Sequence, residues 1–83
     1  MGEKKKTPTE AFGLVLRQLR TNKGLTQEAL ALEAGTERSH ISALERAEKG
    51  PSLGTILRLA QALDVSAGEV VSMVEEVVGQ KKR

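Results

Sequence analysis

Catalysis needs nucleophiles, metal ligands or paired acids and bases, and this chain of 83 residues holds few of them. Cysteine is absent, which removes thiolate chemistry and disulfides alike. His40 is the only histidine, so no cluster has metal-ligand spacing. No glycine-rich loop follows a strand to cradle a phosphate. The acidic residues fall on the solvent faces of helical patterns. An enzyme, a metal centre and a cofactor are all excluded on these grounds. What stands out instead is one stretch from Gln27 to Arg46, QEALALEAGTERSHISALER. It gathers hydrogen-bonding and small side chains, Arg38, Ser39, His40, Ser42, Ala43 and Arg46, within nine residues. Their chemistry is recognition of a surface by hydrogen bonds.

The elements around that stretch must hold it in place. With Ile41 and Leu44 turned inward, a helix from about Glu37 to Ala47 points Ser39, Ser42, Ala43 and Arg46 outward, with Arg38 on the flank near its start. Thr36 is placed to cap it. A shorter helix precedes it, capped by Thr26 and running through Leu30 to Ala34. Gly35 allows the positive φ of a tight turn between the two, and Ala31 is small enough for a close crossing. The first helix starts after Pro8 with Thr9 as N-cap. It places Phe12, Val15, Leu16 and Leu19 at helical period and stops at Gly24. A fourth opens at Ser52, with Leu53, Ile56, Leu57, Leu59, Ala60 and Leu63 apolar. The fifth opens on the capping box Ser66-x-x-Glu69. With no strand pattern anywhere, the fold class is all-α, a five-helix domain. Its predicted limits are a flexible basic tail at 1–8, one domain at 9–79 and a basic tail at 80–83. The two-helix motif spans about 26–46 and the fifth helix about 67–78.

Charge is divided unevenly along the chain. Lys4, Lys5, Lys6, Lys81, Lys82 and Arg83 face only Glu3 in the two ends, so the body from Thr7 to Gly79 carries a net −3 while the whole chain is +2. The basic balance therefore belongs to the tails, where it suits solvated ends or non-specific attraction to phosphate. No signal peptide or apolar run of membrane-spanning length is present, which predicts a cytoplasmic protein with no membrane partner.

The motif, with KGLTQEALALEAG leading into it and PSLGTILRLAQALDVS following, resembles the lambda-repressor-like, Cro/cI or XRE-type helix-turn-helix transcriptional regulators. The similarity covers about 60 residues in order, from the first helix to Ser66. In length and layout the chain is also similar to the controller proteins of restriction-modification systems. Two positions depart from the pattern. Thr36 stands where the family often has Val, and Ala47 where it often has Gly, which predicts a slightly longer third helix and a changed path for the next loop.

The resemblance implies sequence-specific binding of double-stranded DNA, with the third helix in the major groove. Arg38 is then placed for a bidentate contact to guanine O6 and N7. Ser39, Ser42 and Ala43 let the helix approach the base edges, and the Ala43 methyl suits a thymine methyl. Thr26, Gln27, His40, Arg46, Lys49 and Ser52 fall where backbone phosphates are met, Gln27 bracing the recognition helix. Arg20 and Glu45 match the positions of a partly buried ion pair that joins the first and third helices. RNA polymerase is a further partner implied by regulation, and no small-molecule ligand is evident.

The fifth helix predicts a second copy as partner. Val70, Val71, Met73, Val74, Val77 and Val78 span an arc of ~160°, whereas packing on one small domain needs roughly 100°. A symmetric homodimer would cover the surplus and present two recognition helices to a pseudo-palindromic operator with half-sites ~10 bp apart. The rival expectation is an antitoxin or coactivator-like bridging module that uses the same fold mainly to bind a protein.

Overall fold

The computed structural model describes residues 6–79. They form five helices: α1 (Pro8–Asn22), α2 (Gln27–Ala34), α3 (Arg38–Glu45), α4 (Leu53–Ala62) and α5 (Ala67–Val78). The expected tail at 80–83 and most of that at 1–8 lie outside the described residues. Among the described residues there is no strand, and no helix is long and apolar enough to cross a membrane.

Local chemistry explains most helix limits. The hydroxyls of Thr26, Ser52 and Ser66 accept from the N–H groups of Ala29, Thr55 and Glu69, and Glu69 returns the bond to complete a capping box. The start of α1 differs from expectation. Its cap is Thr7, which trades hydrogen bonds with Glu10, while Pro8 occupies the first helical position. Proline fits there because its missing N–H would have no helical partner and its φ is already helical. Thr9 lies two residues too late to cap, already inside the first turn.

The limits of α3 also move. Glu37 occupies the N-cap without a side-chain bond, and Thr36 is free of that task. At the other end α3 stops at Glu45 instead of extending to Ala47. Ala47 takes a left-handed conformation at φ 62°. Its N–H bonds to Leu44 O at 3.1 Å and the Glu48 N–H to Ala43 O at 2.9 Å. That is the Schellman arrangement normally built on glycine. An L-residue pays roughly 1–2 kcal/mol in this region. Ala47→Gly is therefore expected to raise stability by about 0.5–1 kcal/mol, the relief being partly offset by glycine's freedom in the unfolded chain. Urea unfolding measures it; an unchanged or lower midpoint would show that Ala47 carries no strain.

The core sits around α1, which packs against both α3 and α5. Phe12, Val15 and Leu16 of α1 meet Leu30, Ile41, Leu44, Leu59, Leu63 and Val70 in one buried cluster. Not every apolar position expected on α4 joins it. Leu53 and Leu57 are exposed, and Thr55 is buried in their stead, with its hydroxyl accepting from Ser52 at 3.0 Å. Lys23 at the end of α1 bonds Asp64 after α4 at 2.7 Å, which draws the Asp64 carboxyl below its ordinary range. The pair is exposed and adds little to stability.

Candidate nucleic-acid interface

The position of α3 is set by a backbone contact and a side-chain brace. Gly13 of α1 lies so close to the end of α3 that a Cβ built on it would stand 2.7 Å from both the Leu44 and Glu45 carbonyl oxygens. Beside this contact, Arg20 Nε donates to Glu45 Oε2 at 2.7 Å and Nη2 to Oε1 at 3.1 Å. The remaining Nη1 donates to the Leu25 carbonyl at 2.8 Å. Both side chains are nearly enclosed, Arg20 at 11% and Glu45 at 5% exposure. The paired carboxylate holds the guanidinium pKa above its ordinary value, through the hydrogen bond first and its charge second, against the cost of burial.

The brace continues to the surface. Gln27, first residue of α2, donates from Nε2 to Glu45 Oε1 at 3.0 Å, and its Oε1 accepts from Arg38 Nη1 at 3.4 Å. A chain of polar contacts thus runs from inside the domain to an exposed guanidinium at the start of α3. No buried side-chain nitrogen or oxygen among the described residues lacks a partner. Ser39 and Arg46 are exposed beside Arg38, and Ser42 and Ala43 are half-buried on the same side. Such an exposed, braced helix with small side chains can enter a groove and lay hydrogen bonds on its floor.

The family model described as Helix-turn-helix matches residues 16–70. This chain belongs to the helix-turn-helix family of transcriptional regulators. An uncharacterised HTH-type transcriptional regulator of Sinorhizobium fredii, y4dJ, is 42% identical over 59 residues, 71% of this chain and 77% of that protein. Control protein C.BamHI of Bacillus amyloliquefaciens is 36% identical over 61 residues, 72% of this chain and 75% of that protein. The solved structure of the restriction-modification controller protein C.AhdI from Aeromonas hydrophila aligns with TM-score 0.73 at 47% identity, covering 75% of this chain and 94% of that one. The five helices are those of the lambda-repressor-like fold, and the helix-turn-helix family binds DNA to regulate transcription; it is not a family of enzymes.

Placed within the helix-turn-helix, the remaining expected contact residues divide by what their side chains already do. Thr26 accepts the Ala29 N–H at 3.0 Å, which leaves its hydroxyl hydrogen to donate elsewhere. Ser52 differs, for its hydroxyl both caps α4 and donates to Thr55, so its hydrogen is already used. Arg46 pairs with Glu48 at 3.1 Å in an exposed contact weak enough to be exchanged for a phosphate. Lys49 is exposed in the loop after α3. His40 is half-buried, with Nδ1 2.8 Å from Thr36 Oγ1. Sequence reading assigned Thr36 to the cap and missed this pair, because Thr36 lies in the turn before α3, where helical i,i+4 spacing gives no signal.

The valine stripe of α5 is split by the fold. Val70 and Val78 turn into the domain and are buried, so they have almost no surface left for a partner. Met73 and Val74 are half-buried. Val71 and Val77 are the exposed members, at 45% and 38%. Val71 and Val74 form one wall of an apolar groove of about 310 Å³, closed by Pro8, Phe12, Pro51 and Ile56.

Proposed function

We propose that this regulator binds a pseudo-palindromic operator as a homodimer, one α3 in each of two successive major-groove segments. The observation that carries the reading is the brace from Arg20 through Glu45 and Gln27 to Arg38, which holds an exposed guanidinium at the N-terminal end of α3. In helix-turn-helix docking that end of the helix meets base edges. Arg38 reads guanine, Ser39, Ser42 and Ala43 set the close approach, and Thr26, Gln27, His40, Arg46 and Lys49 meet the phosphates on either side. Gln27 and Thr26 stand at the N-terminus of α2, whose partial positive charge favours a phosphate.

A single module of this size makes too few base contacts for high specificity. Exposed Val71 and Val77 on α5, with the apolar groove beside them and exposed Leu53 and Leu57 on neighbouring α4, supply the apolar surface for a second copy. The names of C.BamHI and C.AhdI support a controller role of the same kind for this chain.

Selection from a random double-stranded DNA pool tests the reading. The expected result is an enriched palindrome with half-sites about one helical turn apart. Arg38→Ala is expected to weaken binding to that sequence by roughly 1–3 kcal/mol and to relax the preference at the guanine it reads. A pool with no enriched motif would refute sequence-specific recognition, and enrichment of a lone half-site would refute the dimer.

A further inference from the structure

We propose that Thr36 is a positioning residue, which holds the His40 ring with a hydrogen on Nε2 and so aims an N–H donor at the groove wall opposite Gln27. The inference rests on the DNA-binding reading above. Thr36 lies in the turn between α2 and α3, and among the described residues its Oγ1 meets His40 Nδ1, at 2.8 Å, as its one side-chain hydrogen bond. It is half-buried, so donating to Nδ1 gives its hydroxyl hydrogen a fixed acceptor. A neutral imidazole that accepts at Nδ1 carries its hydrogen on Nε2. Thr36 has no competing duty, since the cap position of α3 belongs to Glu37.

Helical geometry decides what that hydrogen faces. At ~100° per residue, Arg38 and His40 stand ~100° to either side of Ser39, on opposite flanks of the outward face. The Arg38 flank is the one that meets Gln27. A helix with side chains is roughly 10–12 Å across and the major groove is about 12 Å wide, so a helix that fills it touches both walls. His40 therefore meets the phosphates on the wall that Gln27 does not reach.

Four variants and one spectrum test this. Thr36→Val keeps the branched shape and removes the hydroxyl. It is expected to leave the melting temperature near that of the parent and to weaken binding about 3- to 10-fold, the weight of one hydrogen bond. The loss should be equal on the selected sequence and on an unrelated duplex, because phosphates carry no sequence. Thr36→Ser should restore binding, and adding Thr36→Val to His40→Ala should cost nothing more. Nitrogen-15 spectra of the free protein in mildly alkaline buffer should show hydrogen on Nε2, and a tautomer mixture in Thr36→Val. Undiminished binding by Thr36→Val, additive losses in the double variant, or hydrogen on Nδ1 would each overturn the proposal. A loss confined to the selected sequence would overturn the phosphate assignment in favour of a base. If the unaltered protein bound no duplex, the DNA-binding reading would fail, and the spectrum alone would still decide the role of Thr36.

Discussion

Glu45→Ala is expected to remove about 3–5 kcal/mol of stability, the usual result of stranding one member of an enclosed ion pair. Arg20 would keep the Leu25 carbonyl as its one remaining acceptor, and no change of pH within the working range neutralises a guanidinium. For a chain of this size total stability is roughly 4–12 kcal/mol, so the loss is a large part of the whole. Urea unfolding gives the magnitude. A second variant separates folding from function. Arg20→Met combined with Glu45→Met removes both charges and fills the space with flexible apolar side chains, which commonly recovers most of the stability. DNA affinity should not recover with it, because Gln27 then loses the carboxylate that holds its amide. A double variant that bound as tightly as the parent would show that the brace is structural only.

Gly13→Ala is expected to destabilise the domain by about 2–3 kcal/mol, with a fall in melting temperature of roughly 8–20 °C. Alanine gains about 1 kcal/mol over glycine in a helix interior, so propensity alone predicts the opposite sign. The steric cost wins because the added carbon meets two backbone carbonyl oxygens at 2.7 Å, and neither can rotate away as a side chain would. α1 and α3 must separate, and the Arg20–Glu45 geometry moves with them. Gly54→Ala in α4 is the control: its nearest neighbours are the ends of Arg58 and Ser52 at 3.9 Å, so it should be neutral or mildly stabilising. If the two substitutions behaved alike under thermal unfolding, the close approach at Gly13 would carry no energetic weight.

What the sequence made legible was mostly local. Thr26, Ser52 and Ser66 identify helix starts because a cap is made within three residues of itself. Thr7 and Glu10 carried the same signal, with a proline at the first helical position to strengthen it, and Thr9 was the wrong choice between two neighbouring hydroxyls. Ala47 was illegible for a different reason. Alanine favours helix, and only the conformation of the chain after α3 reveals that it stands in a glycine's place. Tertiary facts were the hardest to read. A glycine inside α1 advertises a close approach, but nothing near Gly13 in sequence says that α3 is the neighbour. Periodicity likewise marked Leu53, Leu57 and the α5 valines as apolar without saying which side the rest of the domain would cover. For the interface, the resemblance supplied the pairing of Arg20 with Glu45 across 25 positions, which no local pattern contains.

The contact at Gly13 has one more consequence. It fixes the recognition helix through main-chain atoms, and these are the same whatever side chains α3 displays outward. Exposed Ser39 therefore carries little of the folding task and half-buried Ser42 and Ala43 only part of it, so the surface they form can be rewritten with small side chains without dismantling its support. Under the proposed docking of α3, a lineage changes the operator by drifting at these positions while the scaffold stays as it is, and a designer can do the same on purpose. The domain separates the letter from the page: the inner half keeps the shape, and the outer half is free to acquire a new address.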